Sequence, residues 1–270
     1  MAQTQRYYRN VTMWEATQSF LDLIYITTVR QYRSTTGGAI MSFFTALVQP
    51  LTIFVMFAVM YAVFGRTALI RGDFLLFMMT GIFAYLMHIR AVKSVGAGEM
   101  GGMIFYARAS KLLSILSGAI SELYSNILAM AVIFSIAYLW RGYLEIYDFS
   151  RFIGPMFMAW ASGLAVGLFF VSITPFAPSL GPTLFLIYKR IQMFTSGKAF
   201  VANLLPHSLL PFFTWNPLFH AIDQARGAAF INYVPRYTNM TFPTFFTIAV
   251  FVLALIILYA VRAAQDRGIE

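Results

Sequence analysis

Long apolar runs dominate the pattern of hydrophobic positions along the chain, and short polar or proline-rich stretches separate them. A helix that crosses a bilayer needs roughly 20 predominantly apolar residues. Six segments are predicted to cross, at residues 39–64, 74–90, 113–138, 152–174, 179–202 and 242–261. The pattern therefore predicts an all-α polytopic membrane protein with six transmembrane helices in one domain, residues 39–270.

Residues 14–33 have a different pattern, in which apolar and charged side chains repeat at helical spacing. Trp14 and Leu21 fall on one side of a helix, whereas Asp22 and Arg30 fall on another. This pattern is typical of an amphipathic helix in the membrane interface, although a helix packed on a partner protein can show it too. We predict that residues 1–38 form a cytoplasmic tail and such an interface helix.

The stretch between the last two predicted spans, residues 203–241, is apolar but interrupted by prolines. None of its pieces is long enough to cross a bilayer. Two pieces are predicted to form short re-entrant helices that enter the membrane part-way. The second would begin with Asn216 as N-cap and Pro217 at its first position. A structured loop without a transport role is the alternative.

Two adjacent cations, Lys189 and Arg190, lie near the middle of the predicted span 179–202. One cation at the centre of a membrane helix costs roughly 2.5–3.5 kcal/mol on insertion scales. Helical spacing groups Lys189 with Phe185, Tyr188 and Gln192 on one face. Such a cationic and aromatic stripe predicts the wall of a path for an anionic substrate. Cations that merely extend to the membrane surface would give the same sequence.

Composition supports membrane insertion. The chain has 270 residues, of which 60% are hydrophobic and 11% are charged, whereas charged residues make up about 25% of a soluble domain. The net charge of +9 is scattered among apolar spans, so anionic lipid and an anionic substrate explain it better than nucleic acid. The absence of cysteine excludes disulfides and thiolate metal sites. No signal-peptide core precedes the first span.

The distribution of Lys and Arg predicts the orientation. Ten lie in the N-terminal region, the connection between the second and third spans and the C-terminal tail, against seven on the opposite side. Cytoplasmic loops carry the excess of cations, so both termini are predicted to be cytoplasmic. Glu122 lies near the end of the third span beside the basic connection, as a buried ion-pair partner or as an interfacial residue.

The sequence contains no convincing catalytic constellation. Its three histidines lack metal-ligand spacing, and the glycine-rich stretch at 96–102 lacks the Lys-Ser/Thr that completes a phosphate-binding loop. An enzyme is therefore not indicated, and no metal site is predicted. Cations inside spans and half-inserted helices favour transport instead, and any energy source other than an ion gradient must come from another chain.

Four stretches occur in order along the chain: VRQYRSTTGGAIMSFFTALVQPLTIFVMFAVMYAVFG, IFYARASKLLSILSGAISE, TSGKAFVANLLP and WNPLFHAIDQAR. Together they resemble the membrane (permease) subunit of type-2 ABC exporters, and among these the capsule polysaccharide exporters of Gram-negative bacteria. The resemblance covers nearly the whole chain. Its most specific part is the element from Trp215 to His220, with Arg226.

This resemblance implies a multi-pass protein of the bacterial inner membrane that exports an acidic polysaccharide as a homodimer with two cytoplasmic ABC ATPases. The ATPases would bind ATP and Mg²⁺, and this chain would bind no cofactor. Membrane lipids and periplasmic or outer-membrane export proteins would be further partners, and nucleic acid would not. The resemblance also assigns candidate residues. ATPase coupling falls to Ile104, Phe105, Tyr106 and Arg108, and the periplasmic gate to Trp215, Asn216, Pro217, His220, Asp223 and Arg226.

Three other functions fit parts of the sequence. An exporter of lipid-linked O-antigen or teichoic acid would share the architecture. An ion-coupled secondary transporter would need paired acids in its spans, and Glu122 is the one candidate. A membrane scaffold without transport activity is the third. Co-purification with an ATPase would separate the two exporters from the others.

Overall fold

The computed structural model describes residues 13–34, 39–64, 74–100, 111–176 and 179–266. Within these ranges the chain is all-α and contains no strand, which confirms the predicted class. The helices, in chain order, are α1 Met13–Ser34, α2 Ala39–Phe64, α3 Phe74–Met100, α4 Lys111–Arg141, α5 Phe149–Ile173, α6 Leu180–Thr195, α7 Pro211–Thr214, α8 Pro217–Ala229 and α9 Thr241–Asp266.

Four helices contain stretches long and apolar enough to cross a membrane: Phe74–Gly96, Leu113–Trp140, Phe149–Ile173 and Thr241–Val261. They correspond to the predicted second, third, fourth and sixth spans. The predicted first span, 39–64, coincides with α2, but its apolar stretch within the described residues, Phe43–Met56, is shorter. The four long helices fit a multi-pass membrane protein.

The prediction of one continuous span over 179–202 is wrong, because α6 ends at Thr195. The chain turns at Gly197, whose φ of 75° no right-handed helix contains. A side chain at Gly197 would also collide with the ring of Phe219. The buried turn then leads through a short 3₁₀ turn, Ala202–Leu204, towards α7.

The predicted loop after the second span also begins later than expected. The second span is predicted to end at residue 90, yet α3 continues to Met100. Ala91, Val92 and Val95 are buried, and Val95 clusters with Leu168 and Val171 of α5. Burial of these side chains stabilises helical backbone through a segment whose glycines favour a loop.

Helix α3 is the central helix of the bundle. Its apolar length is buried throughout, with α5 and α4 as its main neighbours and α8 also packed against it. Two glycines bring α5 close to it. A methyl group at Gly163 would overlap the carbonyl oxygen of His88, and one at Gly167 would lie 2.7 Å from the carbonyl oxygen of Val92. Small residues permit this backbone approach in membrane helices.

Helix α2 contains Pro50 in its interior, and proline lacks the N–H that would bond to the carbonyl of Ala46 one turn earlier. Arg90 of α3 replaces that donor, because its Nη2 lies 3.3 Å from the Ala46 oxygen. The same guanidinium donates to Gln49 Oε1 at 3.0 and 3.1 Å and to Asn126 Oδ1 of α4 at 3.3 Å. A neighbouring helix thus satisfies the interrupted backbone, as membrane proteins require.

The two short helices predicted between the last two spans are present as α7 and α8. Asn216 caps α8 by accepting the Leu218 N–H at 3.0 Å, and Pro217 occupies the first turn. The predicted cap is therefore confirmed.

Candidate functional site

The residues predicted to line a path lie on two different sides of α6. Tyr188 and Gln192 face the bundle, where Gln192 is fully buried, and Phe185 is half-buried against the core. Lys189 and Arg190 are exposed. Neighbouring positions differ by about 100° around a helix, so one stripe cannot hold all five. The predicted single face is divided into a buried polar side and an exposed cationic side.

The buried side of α6 belongs to a chain of hydrogen bonds that joins four helices. Asn216, the N-cap of α8, bonds to Gln192 at 2.7 Å, and Gln192 Nε2 bonds to the Tyr188 hydroxyl at 2.7 Å. That hydroxyl lies 2.6 Å from Nε2 of His88 on α3. Nδ1 of His88 lies 2.9 Å from the carbonyl oxygen of Ala159 on α5. We call His88, Tyr188, Gln192 and Asn216 the polar tie.

The direction of every hydrogen bond in the polar tie follows from the α8 cap. Asn216 Oδ1 accepts the Leu218 N–H, so its Nδ2 must donate to Gln192 Oε1. Gln192 Nε2 therefore donates to Tyr188, whose hydrogen is then directed to His88 Nε2. His88 carries its hydrogen on Nδ1 and donates it to Ala159, a carbonyl that can only accept.

This arrangement satisfies a row of buried polar groups with neutral partners. An unpaired buried donor or acceptor costs about 1–3 kcal/mol, and His88, Gln192 and Asn216 are each 0% exposed. A fully connected network fixes one arrangement of the helices that contribute to it. The polar tie therefore links α6 to α3, α5 and α8 through buried hydrogen bonds.

The predicted gate residues on α8 are mostly buried. Pro217, His220, Asp223 and Arg226 lie inside the fold, whereas Trp215, just before the cap, is 46% exposed. Trp215 Nε1 donates to the carbonyl of Phe212 at 2.6 Å. Nε2 of His220 lies 2.9 Å from the carbonyl of Thr214, and its Nδ1 accepts the Asn239 N–H at 3.1 Å. His220 therefore joins the end of α7 to the start of α9.

Asp223 accepts hydrogen bonds from the hydroxyls of Tyr233 and Thr238. Burial raises the pKa of this carboxyl, against the lowering effect of the two hydroxyl bonds and of Arg226. Its two oxygens hold the connection between α8 and α9 in place. In the structure Asp223 therefore acts as a local anchor within the predicted gate segment.

Arg226 anchors α8 to the turn that follows α6. Its guanidinium donates to the carbonyls of Gly197, Phe200 and Lys198 at 2.8, 2.6 and 2.6 Å and stacks 3.9 Å from the ring centroid of Phe77 on α3. The side chain is 1% exposed. Gly81 makes room for it, because a methyl group there would lie 2.8 Å from Nη2.

A second buried cation lies beside Arg226. Lys198 donates to the carbonyl of Met193, in the last turn of α6, at 2.7 Å and lies 3.8 Å above the ring of Tyr85. Cations stabilise the carbonyl end of a helix, and an aromatic face supplies a further attraction once the charge is removed from water.

Three of the four residues of the polar tie, Tyr188, Gln192 and Asn216, are predicted from the sequence, whereas His88 is not. His88, Ser162, Arg90 and Lys198 were not predicted as site residues. A polar residue inside an apolar run indicates a candidate functional site, and His88 is such a residue. Its partner Tyr188, however, is 100 residues away in sequence. The predicted coupling residues Ile104, Phe105, Tyr106 and Arg108 lie outside the described residues.

Glu122 is half-buried on α4, near the cations of α3. Arg90 and Lys93 both interact electrostatically with its carboxyl, and its backbone carbonyl accepts a hydrogen bond from Asn126 at 2.9 Å. In the part of the chain that the structure describes, no group of His, Cys, Asp and Glu could hold a metal ion.

Neither a protein-family model nor a curated protein sequence matches the chain.

Proposed function

We propose that this chain is the membrane subunit of an ATP-driven exporter that moves an acidic polysaccharide across the bacterial inner membrane. In this proposal two copies form the path and two ABC ATPases supply the energy. The proposal rests on the order of the four sequence stretches described above and on the exposed cations of α6. Co-purification of an ATPase with the tagged chain is its first test. Transport that follows an ion gradient without an ATPase would identify a secondary transporter instead.

The observation that carries the proposal is the exposure of Lys189 and Arg190 on a helix whose other side is held inside the bundle. Their neighbours Leu186, Ile187, Ile191 and Phe194 are also exposed, so the cations stand in apolar surroundings. Charges in such a setting are expensive unless they face water, an anion or a lipid head group. A hydrated path for an acidic polymer supplies both water and anions.

We further propose that α2 and α6 complete a set of six crossings. Helix α6 has 16 residues, which at 1.5 Å per residue gives about 24 Å, against about 30 Å for the hydrocarbon core. The buried turn after Thr195 would span the remainder, with Arg226 donating to its carbonyls and Lys198 donating to the last turn of α6. In the same proposal α1 lies in the interface, and α7 and α8 form the periplasmic gate.

A charge series at Lys189 tests the path. We expect Lys189→Arg to retain export, Lys189→Gln to reduce it and Lys189→Glu to abolish it by repelling the polymer. Surface polysaccharide and the abundance of each variant in the membrane are measured together. Arg236→Glu, at an exposed cation outside α6, is the matched control. Normal export by a stably inserted Lys189→Glu protein would remove Lys189 from the path.

A further inference from the structure

We infer that His88 is a positioning residue for the cationic helix: it fixes the rotation of α6 through Tyr188, so that Lys189 and Arg190 face away from the bundle. The hydrogen-bonded tie itself is independent of any transport activity. The further statement that the tie places Lys189 and Arg190 beside an anionic polymer rests on the proposed function.

His88 lies where α3 and α5 pack closely against each other. The side chain is 0% exposed, and α5 packs directly on its backbone because Gly163 has no side chain. Nδ1 lies within hydrogen-bonding distance of both Ala159 O, at 2.9 Å, and Ser162 Oγ, at 3.0 Å. Two helices of the bundle therefore hold the ring rigidly and leave Nε2 directed at α6.

Tyr188 is the point at which this rigid ring acts on α6. Its hydroxyl is shared by His88 and Gln192, and its ring stands edge-on to Phe170 of α5, with centroids 5.5 Å apart. Gln192 lies one turn further along α6 on the same side. The helix is thus held at two successive turns along one line, which opposes rotation about its axis.

The outward direction of the cations follows from that line. Lys189 lies about 100° and Arg190 about 200° around the helix from Tyr188. If α6 rotated to carry Lys189 inwards, Tyr188 and Gln192 would leave their buried partners. The cost would be several unpaired buried polar groups. The polar tie therefore determines which residues of α6 are exposed.

The absence of cysteine from the chain allows a direct measurement on the purified protein in lipid nanodiscs. Ser196→Cys reports the buried side of α6, because Ser196 is 0% exposed and its Oγ has no hydrogen-bond partner among the described residues. Phe194→Cys reports the exposed side, since Phe194 is 73% exposed. The ratio of maleimide labelling rates at the two positions measures how α6 is rotated.

We expect Tyr188→Phe and His88→Leu to raise labelling at position 196 relative to position 194 by roughly threefold to tenfold, the factor associated with losing one hydrogen bond. His88→Gln should keep the original ratio, because its amide can donate an N–H to Ala159 and accept the Tyr188 hydroxyl with its oxygen, as the two nitrogens of the neutral ring do. Tyr237→Phe is the control, since that hydroxyl lies outside the polar tie and its hydrogen-bond partner is the exposed His207, at 3.4 Å.

A spectroscopic measurement separates positioning from simple packing. ¹⁵N NMR of labelled histidine should show the Nδ1–H tautomer for His88, and Tyr188→Phe should shift the His88 signals while leaving those of His207 and His220 in place. Equal labelling in His88→Gln and His88→Leu, or an Nε2–H tautomer, would overturn the inference. Tyr188→Phe removes only the hydroxyl and keeps the ring, so its labelling ratio still tests the inference if His88→Leu does not accumulate. Neither measurement requires export, so a failed proposal about transport leaves both results interpretable.

Discussion

At the residue scale, the buried cations described above are held mainly by hydrogen bonds to carbonyl oxygens rather than by pairing with acidic side chains. The hydrogen bonds described above for the cations Arg226, Lys198 and Arg90 all end on carbonyl or amide oxygens. Each donates to backbone carbonyls beside a turn, a helix end or a proline. A planar guanidinium with several donors suits this task better than an ammonium group does.

Arg226 gives a sharp test of that difference. Arg226→Lys keeps the charge but cannot reach three carbonyls at once, so we expect a loss of about 2–4 kcal/mol in stability. The melting temperature in detergent, monitored by size-exclusion chromatography of heated samples, measures this loss of stability. Arg236→Lys, at an exposed position, should leave melting unchanged. A melting temperature for Arg226→Lys equal to the wild type would show that the charge alone suffices.

The bond from Arg90 to Ala46 predicts a rescue. Arg90→Leu should destabilise the protein because the Ala46 carbonyl loses its donor. Adding Pro50→Ala restores an N–H to α2 that can bond to Ala46 within the helix. In a double-mutant cycle we expect a favourable coupling of about 0.5–1.5 kcal/mol. Additive effects in thermal melting would assign the cost of Arg90→Leu to Gln49 and Asn126 instead.

At the scale of elements, the close contact between α3 and α5 holds the ring of His88. Gly163 and Gly167 lie against backbone atoms of α3, so an added methyl group must displace a whole helix rather than a flexible side chain. Interiors packed this tightly transmit such a change instead of absorbing it.

Gly163→Ala should therefore destabilise the bundle by about 1–3 kcal/mol. Gly154, in the same helix, supplies the matched control, because the described residues leave open space around it. Gly154→Ala should be neutral or stabilise α5 by up to about 1 kcal/mol, the usual gain in helix propensity. Similar melting temperatures for the two variants would show that α5 can move away from α3 at little cost.

Most helices were predictable because long apolar runs directly encode them, and α2, α4, α5 and α9 follow their predicted spans within a few residues. Two ends were not. The apolar run at 179–202 hides the turn at Gly197, which depends on Arg226 reaching its carbonyls from another helix. Likewise α3 continues past Arg90 because distant partners bury Val95. The site shares this limit: Tyr188 and Gln192 were found, but their orientation depends on His88 and Asn216.

At the scale of the whole molecule, the bundle is asymmetric about α3. Helix α3 is buried along its apolar length, whereas α9 exposes most of its own. The segments that carry the polar tie and the buried cations all contact α3 or its neighbours. The described residues thus combine an apolar core that contains buried polar contacts with an apolar exterior suited to lipid.

The number of membrane crossings depends on whether α6 crosses, and this can be measured. The excess of Lys and Arg on one side, ten against seven, predicts cytoplasmic termini, which requires an even number of crossings. If α6 crosses, residues 231–239 lie in the periplasm and a reporter fused after Glu270 is cytoplasmic. If α6 does not cross, both positions change sides, while the connection between α4 and α5, residues 142–148, stays periplasmic in either case.

Paired reporter fusions after residues 33, 145, 235 and 270 therefore measure the crossing of α6 against an internal reference. We expect activity typical of the cytoplasm at 33 and 270 and of the periplasm at 145 and 235. A cytoplasmic signal at 235 together with a periplasmic one at 270 would contradict the six-crossing arrangement.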